Sequence, residues 1–179
     1  DLDLPGEVYF KDGKKLAADM MIVGKGVAPN TGPAEGGDIS IDHGIIANRR
    51  METSAEGLYA AGDVAQTPHM YHQRNELITL WPEAYFQGKT AACNAVEEIT
   101  DYSGGFRMNS VVFYGIPYMF YGDIRGEALD DSDVYTRIEE DGRLYRKLVL
   151  KDRKIVGAVM AGDVRLAGVI YWAMRTGRI

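Results

Sequence analysis

Residues 58–65, LYAAGDVA, begin as an apolar run and stop at Gly62-Asp63. The run 58–61 is expected to form a short buried strand. A small acidic side chain directly after a glycine, at the carboxyl end of such a strand, stands where open α/β sheets bind ligands. Its carboxylate can accept hydrogen bonds from hydroxyl groups, and the glycine lets a ligand approach the backbone. The same pair equally suits a plain strand-to-loop turn in which the aspartate caps its own backbone. Local residues leave both readings open.

Composition narrows the setting. With 179 residues, 46% apolar and 26% charged, the chain is long enough to bury a core and has a globular balance. A net charge of -6 argues against charge-driven nucleic-acid binding. No apolar run approaches the ~20 residues of a membrane-spanning helix. Cys93 is the single cysteine, so no disulfide framework or CxxC pair exists, and a cytoplasmic setting is expected. The chain opens on Asp1-Leu2-Asp3 and enters at once a hairpin pattern, with a strand near Glu7–Phe10, a Lys11–Lys14 turn and a second strand. We therefore expect a piece of a longer protein.

Downstream, MMIVGKGVAPNTG (20–32) suggests an apolar strand entering a Gly/Pro/Asn turn, and 36–57 alternates small strands with turn residues. The polar stretch 64–80 is expected to be a long loop, functional or poorly ordered. WPEAYFQGKTAACNAVEEI (81–99) is the best helical segment. Pro82 suits the first turn, Glu83 favours the positive helix start, and Ala84, Gly88, Ala91, Ala92, Ala95, Val96 and Ile99 are expected to share the packing face. DYSGG (101–105) breaks that pattern and marks the expected domain boundary. Beyond it four apolar segments are expected as strands, with turns at Asp141-Gly142 and Asp152–Lys154. An amphipathic helix follows over 164–177, with Leu166, Val169, Ile170, Ala173 and Met174 on one face.

Four stretches taken together are more specific than any one. TSAEGLYAAGD (53–63), the upstream MIVGKGVAPNTG, the intervening IDHGIIANRRMETS and the downstream LWPEAYFQGKTAACNAV occur in the order and spacing of the FAD-dependent pyridine nucleotide–disulfide oxidoreductases. Each resembles a signature of that family. The tail, YRKLVLKDRKIVGAVMAGD and a helix, resembles the small C-terminal domain of its rubredoxin reductase, NADH oxidase and nitrite reductase large-subunit branch.

The resemblance implies a C-terminal fragment of α+β class: a partial FAD-binding, Rossmann-like segment plus a small antiparallel-sheet domain with one closing helix. It divides the chain into 1–35 (end of an NAD-binding domain and crossover), 36–103 (part of the FAD-binding domain) and 104–179 (interface or dimerisation domain). It places Gly62, Asp63 and Val64 at the ribityl chain of FAD. Trp81, Pro82 and Glu83 open a helix facing the flavin, and Pro29 and Asn30 lie near the cofactor at the crossover. The parent protein would pass a hydride from NAD(P)H to FAD, then electrons to a small acceptor or carrier protein, acting as a homodimer. No GxGxxG occurs, since GKGVAP puts Pro29 in the last glycine's place, and the catalytic cysteine that some members carry near the first fingerprint is absent. The chain by itself is therefore expected to be inactive, with no catalytic residue and no metal ligand assigned. A second reading makes residues 104–179 a dimerisation or carrier-docking module.

Other features carry less. Cys93 is expected to be a buried structural thiol. His69 and His72 have ligand-like spacing but no third ligand close in sequence, so surface histidines are expected. Asp130, Asp131 and Asp133 resemble half a calcium loop and are expected to be a solvated turn. Phe113, Tyr114, Tyr118, Phe120 and Tyr121 are expected in the sheet core and a domain interface, or else beside the flavin or across a dimer contact.

Overall fold

The computed structural model describes residues 6–124, 133–138 and 144–178. Its class is α+β, as expected. Strands β1 (Glu7–Tyr9) and β2 (Lys15–Ala17) form the expected antiparallel hairpin, closed where Gly13 takes a φ of 85°. The expected strand at 20–23 does not form. Met20, Met21, Ile22 and Val23 all lie exposed, Ile22 at 86%, because no strand among the described residues pairs with them.

The middle of the chain forms a small mixed sheet. Strand β3 (Ile45–Ile46) runs parallel to β4 (Ala65–Pro68), and β5 (Asn75–Leu77) pairs antiparallel with β4. The expected buried strand at 58–61 is corrected by this arrangement. Leu58 is half-exposed, and only Tyr59 makes a bridge, to Glu52. The ladder strand starts after Gly62-Asp63 rather than before it. It is hard to recognise because two of its three buried residues, Gln66 and Thr67, are polar. The expected long loop at 64–80 is consequently a hairpin of β4 and β5.

Helix α1 spans Trp81–Ala95 and starts as expected, with Pro82 in its first turn. It ends four residues earlier than expected, with Val96 and Ile99 exposed and Glu97 at φ 65°. The Asn94 side chain causes this stop. Its Nδ2 donates to the carbonyls of Arg50 (3.0 Å) and Thr100 (2.8 Å), and its Oδ1 accepts the Thr100 N–H (2.9 Å).

The C-terminal sheet has order β6-β7-β10-β9-β8, antiparallel throughout. Its strands are β6 (Met108–Phe113), β7 (Ile116–Gly122), β8 (Asp133–Ile138), β9 (Tyr145–Lys151) and β10 (Lys154–Ala161). Four strands were expected, and five form. The first apolar run folds back at Tyr114-Gly115, where both residues take positive φ (49° and 77°), the signature of a two-residue type I′ turn. Asp152 and Arg153, at 49° and 61°, make the same turn where it was expected. Asp130, Asp131 and the Asp141-Gly142 turn lie outside the described residues.

Helix α2 (Ala167–Thr176) closes on this sheet and ends at Gly177 in the left-handed region, a common helix stop. Ile170, Ala173 and Met174 are buried as expected, whereas Leu166 and Val169 are exposed. The main core unites Phe106, Tyr121, Ile155, Ala158 and Met160 with those three helical residues. Of the aromatic set, Tyr121 joins this core. Tyr118 and Phe120 stack with centroids 6.3 Å apart, and Phe113 and Tyr114 stand exposed at the turn.

Candidate cofactor-binding site

The buried face of α1 overturns a sequence expectation. Instead of the alanine-rich side, the helix buries Glu83, Gln87, Thr90 and Asn94, spaced four, three and four residues apart along one stripe. Buried polar groups are stable only when hydrogen-bonded, so each identifies what the helix holds.

Gln87, fully buried, accepts the Gly62 N–H on Oε1 (2.8 Å) and donates from Nε2 to the Thr67 hydroxyl (3.1 Å). It thereby ties the Gly-Asp turn and strand β4 to the helix. Gly62 takes a φ of 83°, and a methyl group in its place would sit 3.8 Å from the Ala84 side chain in the first turn of α1. The Gly62-Asp63 turn thus rests against the start of α1. The Ala65 N–H closes that turn on the Gly62 carbonyl (2.9 Å). Asp63 points outward, and its carboxylate takes no hydrogen bond among the described residues. The self-capping turn is therefore not what forms, and the carboxylate remains available.

The helix start is open in the same sense. Leu80 at the N-cap supplies no side-chain oxygen to the first-turn N–H groups, which carry roughly half a positive charge. Trp81 beside it is 93% exposed. A surface carboxylate and an uncapped helix start, held together by Gln87, can bind a hydroxyl-bearing chain and an electron-rich group side by side. Those are the two features that the ribityl chain and ring system of FAD present, so the residues present fit that cofactor. No hydrogen bond among the described residues links Pro29 or Asn30 to this pair.

Glu83 turns inward. Its carboxylate accepts from the Tyr102 hydroxyl and the Arg175 guanidinium, and the Phe106 N–H faces it. Burial pushes its pKa up, against the opposing pull of Arg175 and Tyr102. Arg175 also donates to the Gly104 carbonyl (2.8 Å) and lies over the Phe86 and Phe106 rings, 5.0 and 4.8 Å from their centroids. Nothing in the sequence of α1 shows this arrangement, because Tyr102 and Arg175 lie 19 and 92 residues further on.

The two histidines are not both surface residues, as expected. His69 is buried, His72 is partly covered, and both join Glu76 in a group whose ligand-type atoms lie within 4.8 Å of one another. Glu76, only four residues beyond His72, is a third group, which corrects the expectation that none lies close in sequence. However, His69 Nδ1 accepts the N–H groups of Tyr71 (3.1 Å) and His72 (3.2 Å). Its proton therefore resides on Nε2, which leaves no lone pair there for a metal. Arg74 and Arg107 already pair with Glu76.

Burial lowers the His69 pKa to about 4. Between pH 6.5 and 4 the unfolded chain then binds the proton that the folded chain refuses. Stability is complete above pH 6.5 and falls as pH drops toward 4, by at most about 3 kcal/mol. Asn at this position can accept the same N–H groups without titrating. Urea midpoints should thus fall over this window more steeply in the wild type than in His69→Asn.

The fold and motif order converge on one family. Residues 3–88 match the model of the pyridine nucleotide-disulphide oxidoreductases, and residues 108–178 match that of the rubredoxin NAD+ reductase C-terminal domain. The chain belongs to the pyridine nucleotide–disulphide oxidoreductase family. It is 33% identical over 154 residues to an NADH-rubredoxin oxidoreductase of Clostridium acetobutylicum, covering 86% of this chain and 38% of that protein. The crystal structure described as NADH:rubredoxin oxidoreductase from that organism superposes with a TM-score of 0.60 at 32% identity, over 84% of this chain and 37% of that one. A nitrite reductase [NAD(P)H] of Bacillus subtilis is 31% identical over 86% of this chain and 18% of its own length. The structure of reduced Bacillus anthracis CoADR-RHD shares the fold, with a TM-score of 0.82 at 21% identity over 97% of this chain and 34% of that one. The chain thus spans between about a fifth and two fifths of the curated relatives named here. Among the described residues no helix is long and apolar enough to cross a membrane.

Proposed function

We propose that this chain supplies part of the FAD site of an NAD(P)H-dependent flavoprotein oxidoreductase. The observation that carries the reading is the Gly62-Asp63 turn resting on the open start of α1, with the Asp63 carboxylate uncommitted. Asp63 accepts hydrogen bonds from cofactor hydroxyls, while Gly62 and Val64 give backbone room beside it. Trp81, Pro82 and the Glu83 backbone form the helix start that favours negative charge on the bound group. Glu83 contributes through its main chain only, since its carboxylate is committed inward. FAD, when bound, accepts a hydride from NAD(P)H and passes its electrons to a small acceptor or carrier. Pro29 and Asn30 mark the crossover nearby.

A small electron-carrier protein is the proposed partner, because the 33%-identical relative is named for rubredoxin. We also propose the division at residues 35 and 103, homodimerisation through 104–179 and a cytoplasmic setting. A colourless, dimeric chain would favour the module reading of 104–179 instead.

FAD titrated onto the purified chain, followed by flavin fluorescence and visible absorbance, tests the site. Asp63→Ala should weaken binding about tenfold or more, the scale of a lost charge-assisted hydrogen bond. Glu56→Ala, an exposed acid on the preceding turn, should leave it unchanged. Equal binding by wild type and Asp63→Ala overturns the assignment, as does no binding by either when the rest of the FAD-binding domain is supplied as a separate chain.

A further inference from the structure

Gly62 and the start of α1 are held by groups that form one buried polar seam. The Gly62 N–H donates to Gln87, and the Gln87 amide reaches the Thr67 hydroxyl and lies beside the Tyr102 hydroxyl. Tyr102 donates to Glu83, which takes its second bond from Arg175 on α2. Gln87 and Glu83 are fully buried, and the Arg175 side chain is 13% exposed. The segment between Tyr102 and Phe106 has no slack. A methyl group at Gly105 would lie 2.7 Å from the Tyr102 hydroxyl and 2.8 Å from Ile78, while one at Gly104 would meet the Met70 backbone at 2.8 Å. The Met70 N–H and the Gly105 N–H stitch the same segment to 68–70. On the far side, the Tyr71 hydroxyl donates to the Met174 carbonyl at 3.0 Å, fixing the end of α2.

We infer that Gln87, Glu83 and Arg175 are positioning residues. Through them helix α2 sets the placement of the Gly62-Asp63 turn against the start of α1. The seam itself is a property of this chain, and only its use to align a flavin rests on the function proposed above. The groups facing the Glu83 carboxylate are Arg175 from α2, the Tyr102 hydroxyl and the Phe106 N–H. Among the described residues no other charged side chain bonds to it. Without Arg175 that carboxylate has no counter-charge. Glu83 then holds a proton at low pH and keeps its bond to Tyr102. As pH rises it must either ionise uncompensated or leave its pocket.

Residue-resolved amide hydrogen exchange on the full chain tests this. Gln87→Met should speed exchange at Gly62 at least tenfold, with the β9 and β10 amides unchanged. Arg175→Met should speed exchange at Gly62 and in the first two turns of α1. Its excess over wild type should grow as pH rises above the ordinary carboxylate range, after correction for intrinsic exchange. Glu83→Gln combined with Arg175→Met should abolish that growth, because nothing is left to ionise. The inference fails if Arg175→Met opens the β9–β10 sheet as much as Gly62, if Gly62 is unaffected, or if the excess does not depend on pH. The exchange pattern without any FAD binding would keep the seam and remove the flavin. FAD binding with unchanged exchange would do the reverse.

Discussion

Gly122→Ala should destabilise the chain by about 2–5 kcal/mol, the sum of left-handed backbone strain and overpacking of a filled space. Gly122 ends β7 at a φ of 63° and sits opposite Gly157 on β10. At that point β10 carries a bulge between Ile155 and Gly157, which aims the Val156 carbonyl across the sheet. A Cβ on Gly122 would overlap that carbonyl and press on Met174 of α2, 2.8 Å away. The carbonyl cannot retreat, because it accepts the Asp123 N–H at 2.9 Å. Urea denaturation followed by far-ultraviolet circular dichroism measures the loss. An alanine at Gly168, where a Cβ meets nothing, is the control and should cost nothing. A Gly122→Ala chain as stable as wild type would mean that the bulge is not built this way.

Phe106→Ala is expected to cost a similar amount, about 3–5 kcal/mol, as buried aromatic truncations do. Phe106 is fully buried where the 101–105 segment enters the C-terminal sheet. Its ring contacts Tyr71 and Tyr171, with centroids 5.9 and 5.7 Å away, and carries the Arg175 guanidinium on its face. The truncation therefore leaves a cavity and also removes a cation–π contact from a buried arginine. Phe106→Leu keeps most of the volume but not the ring face, so it should cost clearly less than alanine while still loosening Arg175. Thermal melts with near-ultraviolet circular dichroism of the surrounding tyrosines separate the two. Equal losses for alanine and leucine would mean that ring packing, rather than volume, dominates at this position.

Much of the fold was legible in the sequence where short-range chemistry decides it. Pro82 and Glu83 announced the start of α1, Asp152–Lys154 announced a hairpin, and the spacing of Ile170, Ala173 and Met174 announced the buried side of α2. The misses share a cause. Strand β4 reads as a loop, and α1 reads as packing through its alanines, because both bury polar side chains. Periodicity counts apolar residues, so a stripe of Glu83, Gln87, Thr90 and Asn94 looks like a solvated face. Its partners are backbone groups and the distant Tyr102 and Arg175, and only the fold brings these to it. The Tyr114-Gly115 turn was hidden differently, since a tyrosine at positive φ gives no local warning. For the site, Gly62-Asp63 and the start of α1 were both named from motif order. That they touch, and that Gln87 joins them, was not readable from spacing.

The buried seam also constrains how the chain can change over generations. Replacing Glu83, Tyr102 or Arg175 alone strands a polar partner without water, so each single step passes through a less stable protein. An apolar trio of matching volume can be as stable as the present one, yet it is reachable only if several positions change together. Descendants of this sequence are thus held to the charged solution by the route away from it, and positions 83 and 175 should vary as a pair or not at all.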